Sequence, residues 1–435
     1  MPFTRSLGRW AMTALVINCV IGSGIFAIPS ELTRLVGWLS PLAIVAGALV
    51  QIPIIASIAE VSSQFTEPGG AYLYARTVFG RFAGLQVGWF SLLAPIAGVA
   101  ANAGLFVAYL TSFFPVVGTG AARAAALAVL IALPAAANYI GVRRGGNFSN
   151  ALVLAKLLPM LILIGLGVAR FAKSGLPELP PQAFGIGWSG WVSAFLLVTF
   201  TFGGYEDAIV PAGEVRDTRH TMGFALGVGL LTCTVLYTLL QLVTLVTVGF
   251  TTSARPLADA AFVLIGAQGS VLVALAVMVS TYGNVSAGVL TTPRLAYALA
   301  SHGEFPAVLG RLHPRFHTPG VSILSFAVLV WILAVTGTFM WAMVLSAGSM
   351  MVMYGSTCAA LIRLRRLNPK AQALRVPFGP ALAACGIAIS CLLLTQLQRT
   401  EWGMMFVTFA IAAANWWWVK GHGLRSAVAN REAAS

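Results

Sequence analysis

The stretch "VIGSGIFAIPS", residues 20–30, sets Gly22, Ser23 and Gly24 side by side inside an apolar run that otherwise has the character of one long helix. Glycine costs roughly 1 kcal/mol relative to alanine in a helix interior, so two glycines around a serine mark a place where a helix stops and restarts. What the break means depends on the solvent around it. The chain has 435 residues, 58% of them hydrophobic and only 9% charged. Soluble domains carry about 25% charged residues, so an ordinary soluble protein is excluded.

A helix crosses a bilayer with about 20 mainly apolar residues. Twelve stretches qualify, at 10–33, 38–60, 82–114, 121–140, 149–171, 190–213, 221–249, 269–299, 320–338, 341–362, 379–397 and 402–420. The connectors are short and rich in proline and charge, as in "SGLPELPPQ" (174–182) and "RLRRLNPKAQALRVP" (363–377). The first stretch is too long for a signal-peptide core and is followed by more of the same, so it is expected to be retained. The expected fold class is an all-α integral membrane protein with 12 transmembrane helices.

The net charge of +14 raises the question of a nucleic-acid partner, and its distribution answers it. With the N-terminus in the cytoplasm, nineteen of the 26 Lys and Arg residues fall on cytoplasmic segments, six fall outside and Lys156 lies within a span. That asymmetry is the positive-inside bias. It implies a multi-pass protein of the cytoplasmic membrane with both termini cytoplasmic, and no nucleic acid. Cys19, Cys233, Cys358, Cys385 and Cys391 all lie in apolar segments without metal-ligand spacing and read as small packing residues.

In hydrocarbon, irregular backbone is tolerated only where it is buried in protein or lines a cavity. A mid-span break therefore points to a site. A second break stands in "FTFGGYED" (200–207), where Gly203 and Gly204 interrupt the sixth span just before Glu206 and Asp207. The two breaks are 181 residues and five spans apart, so the first and sixth spans cross in opposite directions. This is the arrangement of inverted-repeat transporters with discontinuous helices at the midplane. A half-helix restarting after Gly22 offers free N–H groups and a positive dipole end, which suit a carboxylate. Half-helices that stop leave carbonyls, which suit an ammonium. One site offering both matches the head of an amino acid.

Four passages in order, "IGSGIFAIP" (21–29), "EPGGAYLYARTVFG" (67–80), "FTFGGYEDAIVPAGEV" (200–215) and "YGNVSAGVLTTPRLAYALASHGEFP" (282–306), resemble the amino acid/polyamine/organocation superfamily of permeases. The similarity extends over most of the chain. The resemblance implies a LeuT-type five-plus-five inverted repeat, residues 1–172 and 188–366, with two additional C-terminal helices at 378–420 and helices 1 and 6 discontinuous. It implies amino acid transport by alternating access across the lipid bilayer. Gly22, Ser23, Gly24 and Ile25 match the motif that holds the substrate carboxylate, and Ile21 beside them joins the candidate substrate-binding set. Phe200, Phe202, Gly203 and Gly204 match the unwound motif that accepts the amino group, with Phe200 at the position of an aromatic gate. Glu206 joins the candidate substrate-binding set, although acidic residues are common there in the family. A Gly24→Val substitution is expected to abolish binding while leaving the protein folded.

Lys156, in "ALVLAKLLPMLILIGLG", has no acidic residue within 20 positions. A lysine near the bilayer centre costs roughly 2.5–3.5 kcal/mol on insertion scales. By the resemblance it occupies the place of a sodium ion in related transporters, with its ammonium near the first-span carbonyls around Gly22 and near Ser286 or Asn284. It is a candidate proton carrier, which makes protons the expected coupling partner, or a fixed cationic strut. The bland alternative is a side chain snorkelling to the near membrane face.

Other signals carry less. "GSGIFA" also fits a dinucleotide fingerprint, but its flanks are membrane-length and no acid follows between 35 and 59. "HPRFH" (313–317) reads as a loop and not a metal site, and no cofactor is expected. Glu60, Glu214 and Asp217 are candidates to pair with Arg76, Arg216 or Arg294 as inner-gate contacts, or are plain loop charges. The function expected is a proton-coupled amino acid symporter, with an exchanger, or a cationic amino acid or polyamine carrier, as alternatives. An enzyme would need a nucleophile, base or metal constellation, and none is present.

Overall fold

The computed structural model describes residues 8–65, 69–141, 146–174, 187–208, 218–250, 253–368 and 373–432, which form helices and turns with no strand. The helices are α1 (Arg9–Val20), α2 (Gly24–Val36), α3 (Ser40–Ser62), α4 (Gly70–Phe79), α5 (Arg81–Leu110), α6 (Gly120–Tyr139), α7 (Gly146–Ser174) and α8 (Trp188–Phe202). There follow α9 (Tyr205–Ala208), α10 (Thr218–Val248), α11 (Pro256–Ser301), α12 (Gly320–Thr336), α13 (Phe339–Leu367), α14 (Gly379–Leu394) and α15 (Arg399–Glu432).

Six stretches among the described residues are long and apolar enough to cross a membrane: Gly24–Ser62, α5, α6, Thr221–Val248, α11 and α13. The shorter apolar helices α8, α12 and α14 accompany them. The 12 residues of α1 and the 13 of α2 each rise only about 20 Å, so neither half crosses a hydrocarbon core of roughly 30 Å alone. The chain presents apolar side chains outward: Leu231 and Val235 of α10, Leu324 and Val328 of α12, and Phe406 of α15 are all exposed. In water such a surface drives association, whereas against lipid tails it costs nothing.

With lipid as apolar as leucine, close packing and polar contacts hold the interior together. A Cβ at Gly288 of α11 would lie 2.3 Å from Val99 of α5, which shows how closely those helices approach. Helix α5 is the hub, packed against α4, α11, α12, α13 and α15, and 72% of its apolar stretch is buried, against 28% for peripheral α6. Around it, α1 lies on α10, α2 on α8, α7 on α11, and α3 on both α8 and α10.

Two helical pieces occupy segments that the sequence reading leaves as connectors. Helix α4 buries Tyr72, Tyr74, Ala75 and Val78 before α5 begins. The leading part of α11 is set off from the rest by non-helical backbone at Ile265 and Gly266, the latter at φ +71°. Both bury only a few apolar residues, too short a run to register as a membrane span.

Candidate functional site

The first break lies where the glycines are. Helix α1 ends at Val20, Ile21 leaves the helical region (ψ 88°), and α2 restarts at Gly24. The orphan carbonyls at the end of α1 are met by side chains from distant helices. Tyr237 of α10 donates its hydroxyl to the Val20 carbonyl at 3.0 Å, and Lys156 Nζ of α7 donates to the Ile21 carbonyl at 3.1 Å. The donors at the start of α2 are different. Phe26 N–H bonds back to the Ser23 carbonyl at 3.1 Å, but the N–H groups of Gly22, Ser23, Gly24 and Ile25 meet no acceptor among the described residues. The Ser23 hydroxyl is also buried without a partner among the described residues. Buried polar groups are normally paired, so this cluster of donors suits an anion, with the positive end of α2 behind it.

The second break faces the first. Helix α8 ends at Phe202, Gly203 turns extended (ψ 159°), and Gly204 takes φ +106° before the short α9. A Cβ on Gly204 would sit 2.4 Å from the Cys19 carbonyl, so only glycine lets α9 come this close to α1. A Cβ on Gly24 would lie 2.6 Å from Thr201 Oγ1 and 2.8 Å from Thr201 Cα, which marks an equally close approach of α2 to α8. This corrects the expectation for Gly24→Val: a valine there collides with the α8 backbone, so it tests packing and not carboxylate binding. Gly22 has more room, since a Cβ there would lie 3.4 Å from Asn284 Nδ2.

Other candidates take their places around these breaks. Ile21 and Ile25 are fully buried in the core. Phe202 packs on Tyr237 with ring centroids 5.3 Å apart, and with Tyr205, Val16 and Val20 it lines a small, mostly apolar cleft beside α1. Phe200 is half-buried at the α8 end, its carbonyl accepting from Gly203 N–H at 3.1 Å. Glu206 turns back on its own break: one oxygen, Oε2, accepts from Gly204 N–H at 3.0 Å and from the Tyr354 hydroxyl of α13 at 2.9 Å. Tyr354 in turn stacks on Tyr205 at 5.5 Å. The carboxylate caps the break and joins α9 to α13.

Lys156 is 4% exposed and does not snorkel, since its ammonium points inward to Ile21 and to Asn284 Oδ1 at 3.2 Å. Of the two partners named for it in α11, Asn284 makes the bond and Ser286 does not. The inner-gate pairings differ from those expected. Glu60 pairs with Arg365 through two bonds of 2.7 Å, and Arg76 and Arg81 both turn to Glu304, at 3.6 and 3.0 Å. The pairs join elements far apart in sequence, which local charge patterns do not encode. Glu214, Asp217 and Arg216 lie outside the described residues.

The histidines of "HPRFH" serve the loop. His313 Nδ1 accepts the Arg315 and Phe316 N–H groups at 3.2 and 3.3 Å, and its ring stacks on Phe316. Among the described residues, no three His, Cys, Asp or Glu side chains gather as a metal site. Tyr237, Tyr354 and Asn102, which meets Asn284 below, escaped the sequence reading. Each is a polar side chain in an apolar helix, costly to bury without a partner, and that was the available signal.

Comparison with known proteins agrees with this architecture. A family model described as amino acid permease matches residues 7–418. The chain is 25% identical over 407 residues to a serine/threonine exchanger, SteT, of Bacillus subtilis (strain 168), covering 91% of this chain and 92% of that one. It is 27% identical over 381 residues to uncharacterized transporters of Mycobacterium bovis and Mycobacterium tuberculosis, covering 84% of this chain and 83% of theirs. These relatives mark a transporter and not an enzyme. The match of that family model over nearly the whole length shows that the chain belongs to the amino acid permease family, and the two broken helices meeting at its first and sixth apolar stretches accord with it.

Proposed function

We propose that this permease carries a single α-amino acid per cycle, by alternating access, across the cytoplasmic membrane with both termini inside. The observation that carries the reading is the run of N–H groups from Gly22 to Ile25 that meet no acceptor among the described residues, with the buried Ser23 hydroxyl among them. The substrate carboxylate binds there. Its amino group binds the C-terminal carbonyls of α8 around Phe200 and Phe202, where the break at Gly203 and Gly204 ends the helical ladder and the Phe200 carbonyl keeps a second lone pair beside its bond from Gly203 N–H. Backbone holds the head, and side chains from other helices read the rest.

The reading includes twelve spans arranged as a LeuT-type repeat, 1–172 and 188–366, with two further spans in 378–420, formed by α14 and the first part of α15. Its support is the pattern of helix pairing. An inverted repeat maps α1 onto α8, α2 onto α9, α3 onto α10, α5 onto α11 and α7 onto α13. Under that mapping the pairing of α1 with α10 becomes that of α8 with α3, and the pairing of α5 with α13 becomes that of α11 with α7. All four pairings occur.

Lys156 supports proton-coupled symport, because the ammonium sits on the broken helix that must move when substrate binds. Exchange is the second reading, favoured by the exchanger from Bacillus subtilis. Liposomes holding the purified protein separate them. Symport predicts uptake of radiolabelled amino acid that accumulates under an inward proton gradient and is lost in Lys156→Ala. Uptake that ignores the gradient and needs internal amino acid establishes exchange, and absence of any amino acid flux overturns the transport reading.

A further inference from the structure

A line of side-chain amides leads from the hub helix to Lys156. Asn102 Nδ2 donates to the Gly98 carbonyl one turn earlier in α5 at 2.8 Å, Asn284 Nδ2 of α11 donates to Asn102 Oδ1 at 3.1 Å, and Lys156 Nζ donates to Asn284 Oδ1 at 3.2 Å. The ends of this line fix its sense. A backbone carbonyl only accepts and an ammonium only donates. Each amide in between must therefore turn its NH2 toward α5 and its oxygen toward Lys156. Turning Asn284 over would set its NH2 against the ammonium and its oxygen against Asn102 Oδ1. Asn102 is 8% exposed, so bulk water is a poor substitute partner for it.

We propose that Asn102 is a positioning residue for Lys156: it fixes the Asn284 amide so that an oxygen faces the ammonium, tying α5 to the bond between Lys156 and the first helix break. This rests on the reading of Lys156 as part of the transport machinery. The two amide edges of Asn284 have nearly the same shape, so its orientation is set by its partners: the ammonium takes the oxygen on one edge and Asn102 Oδ1 takes the NH2 on the other, which holds the amide in place when the ammonium moves. Asn102 offers that oxygen because the Gly98 carbonyl has already committed its own NH2.

The test exploits a carboxylate, which presents oxygen on both edges and needs no orienting. Initial uptake of an equimolar mixture of radiolabelled L-amino acids is measured in liposomes for Lys156→Ala, Asn102→Leu, Asn102→Ala, Asn284→Asp and each Asn102 variant combined with Asn284→Asp. Asn102→Leu is expected to slow uptake about tenfold, the equivalent of one charge-assisted hydrogen bond. In the Asn284→Asp background the second carboxylate oxygen faces Asn102 Oδ1, so the same change removes an unfavourable oxygen pair and is expected to leave uptake unchanged or faster, slowing it by no more than about twofold. An Asn102 variant that matches wild type, or that slows uptake equally in both backgrounds, overturns the positioning role while leaving Lys156 in place. Unchanged uptake in Lys156→Ala overturns the reading beneath it. If both Asn102 variants fail to fold and Asn284→Asp does not restore them, Asn102 is a packing residue and the proposal falls.

Discussion

Gly22 and Gly24 look alike in the sequence, yet a methyl group at each meets different surroundings. At Gly24 it strikes the Thr201 backbone, and at Gly22 it reaches the Asn284 amide and the Val20 carbonyl at ordinary contact distances. Gly24→Val is expected to destabilise the folded protein by about 2–3 kcal/mol, as overpacking does, seen as a lower melting temperature in detergent. Gly22→Ala is expected to melt near wild type but to bind amino acid more weakly, because the methyl crowds the free N–H groups. If Gly22→Ala binds and transports like wild type, the carboxylate does not sit there.

Glu206 acts on a whole element. Its Oε2 takes both the Gly204 N–H and the Tyr354 hydroxyl, so a single oxygen does the capping. Glu206→Gln keeps one carbonyl oxygen and is expected to retain stability and uptake of neutral amino acids. Glu206→Ala leaves two buried donors without an acceptor, at about 1–3 kcal/mol each, and is expected to lower the melting temperature and uptake together. A cationic substrate read by the Glu206 charge gives the opposite result, with Glu206→Gln losing lysine or polyamine uptake at unchanged stability.

Across the whole molecule, Glu60 at the end of α3 binds Arg365 at the end of α13, and Val376 in the following segment donates its N–H to the same carboxylate at 2.8 Å. Burial keeps Glu60 at 1% exposure, whereas the Arg365 side chain is 22% exposed. Removing the arginine strands a buried carboxylate. Arg365→Ala is therefore expected to cost up to about 3 kcal/mol, reduced by solvent screening at the arginine. Glu60→Gln with Arg365→Met is expected to recover most of that loss, and melting curves of the two singles and the double measure the coupling.

The sequence by itself determined the class and the breaks. Apolar stretches of membrane length, the bias of Lys and Arg, and glycine pairs at 22–24 and 203–204 are local signals, and each reflects a cost that the bilayer imposes on a single segment. Lys156 stood out for the same reason. What each residue bonds to was decided only by the tertiary structure: Glu60 found Arg365 and not Arg76, Glu206 folded back to Tyr354, Asn284 and not Ser286 met Lys156, and Gly24 proved to be a close-packing residue. These partners lie on helices separated by long stretches of chain. A buried polar residue announces in sequence that it needs a partner, but which partner it meets depends on how the helices pack.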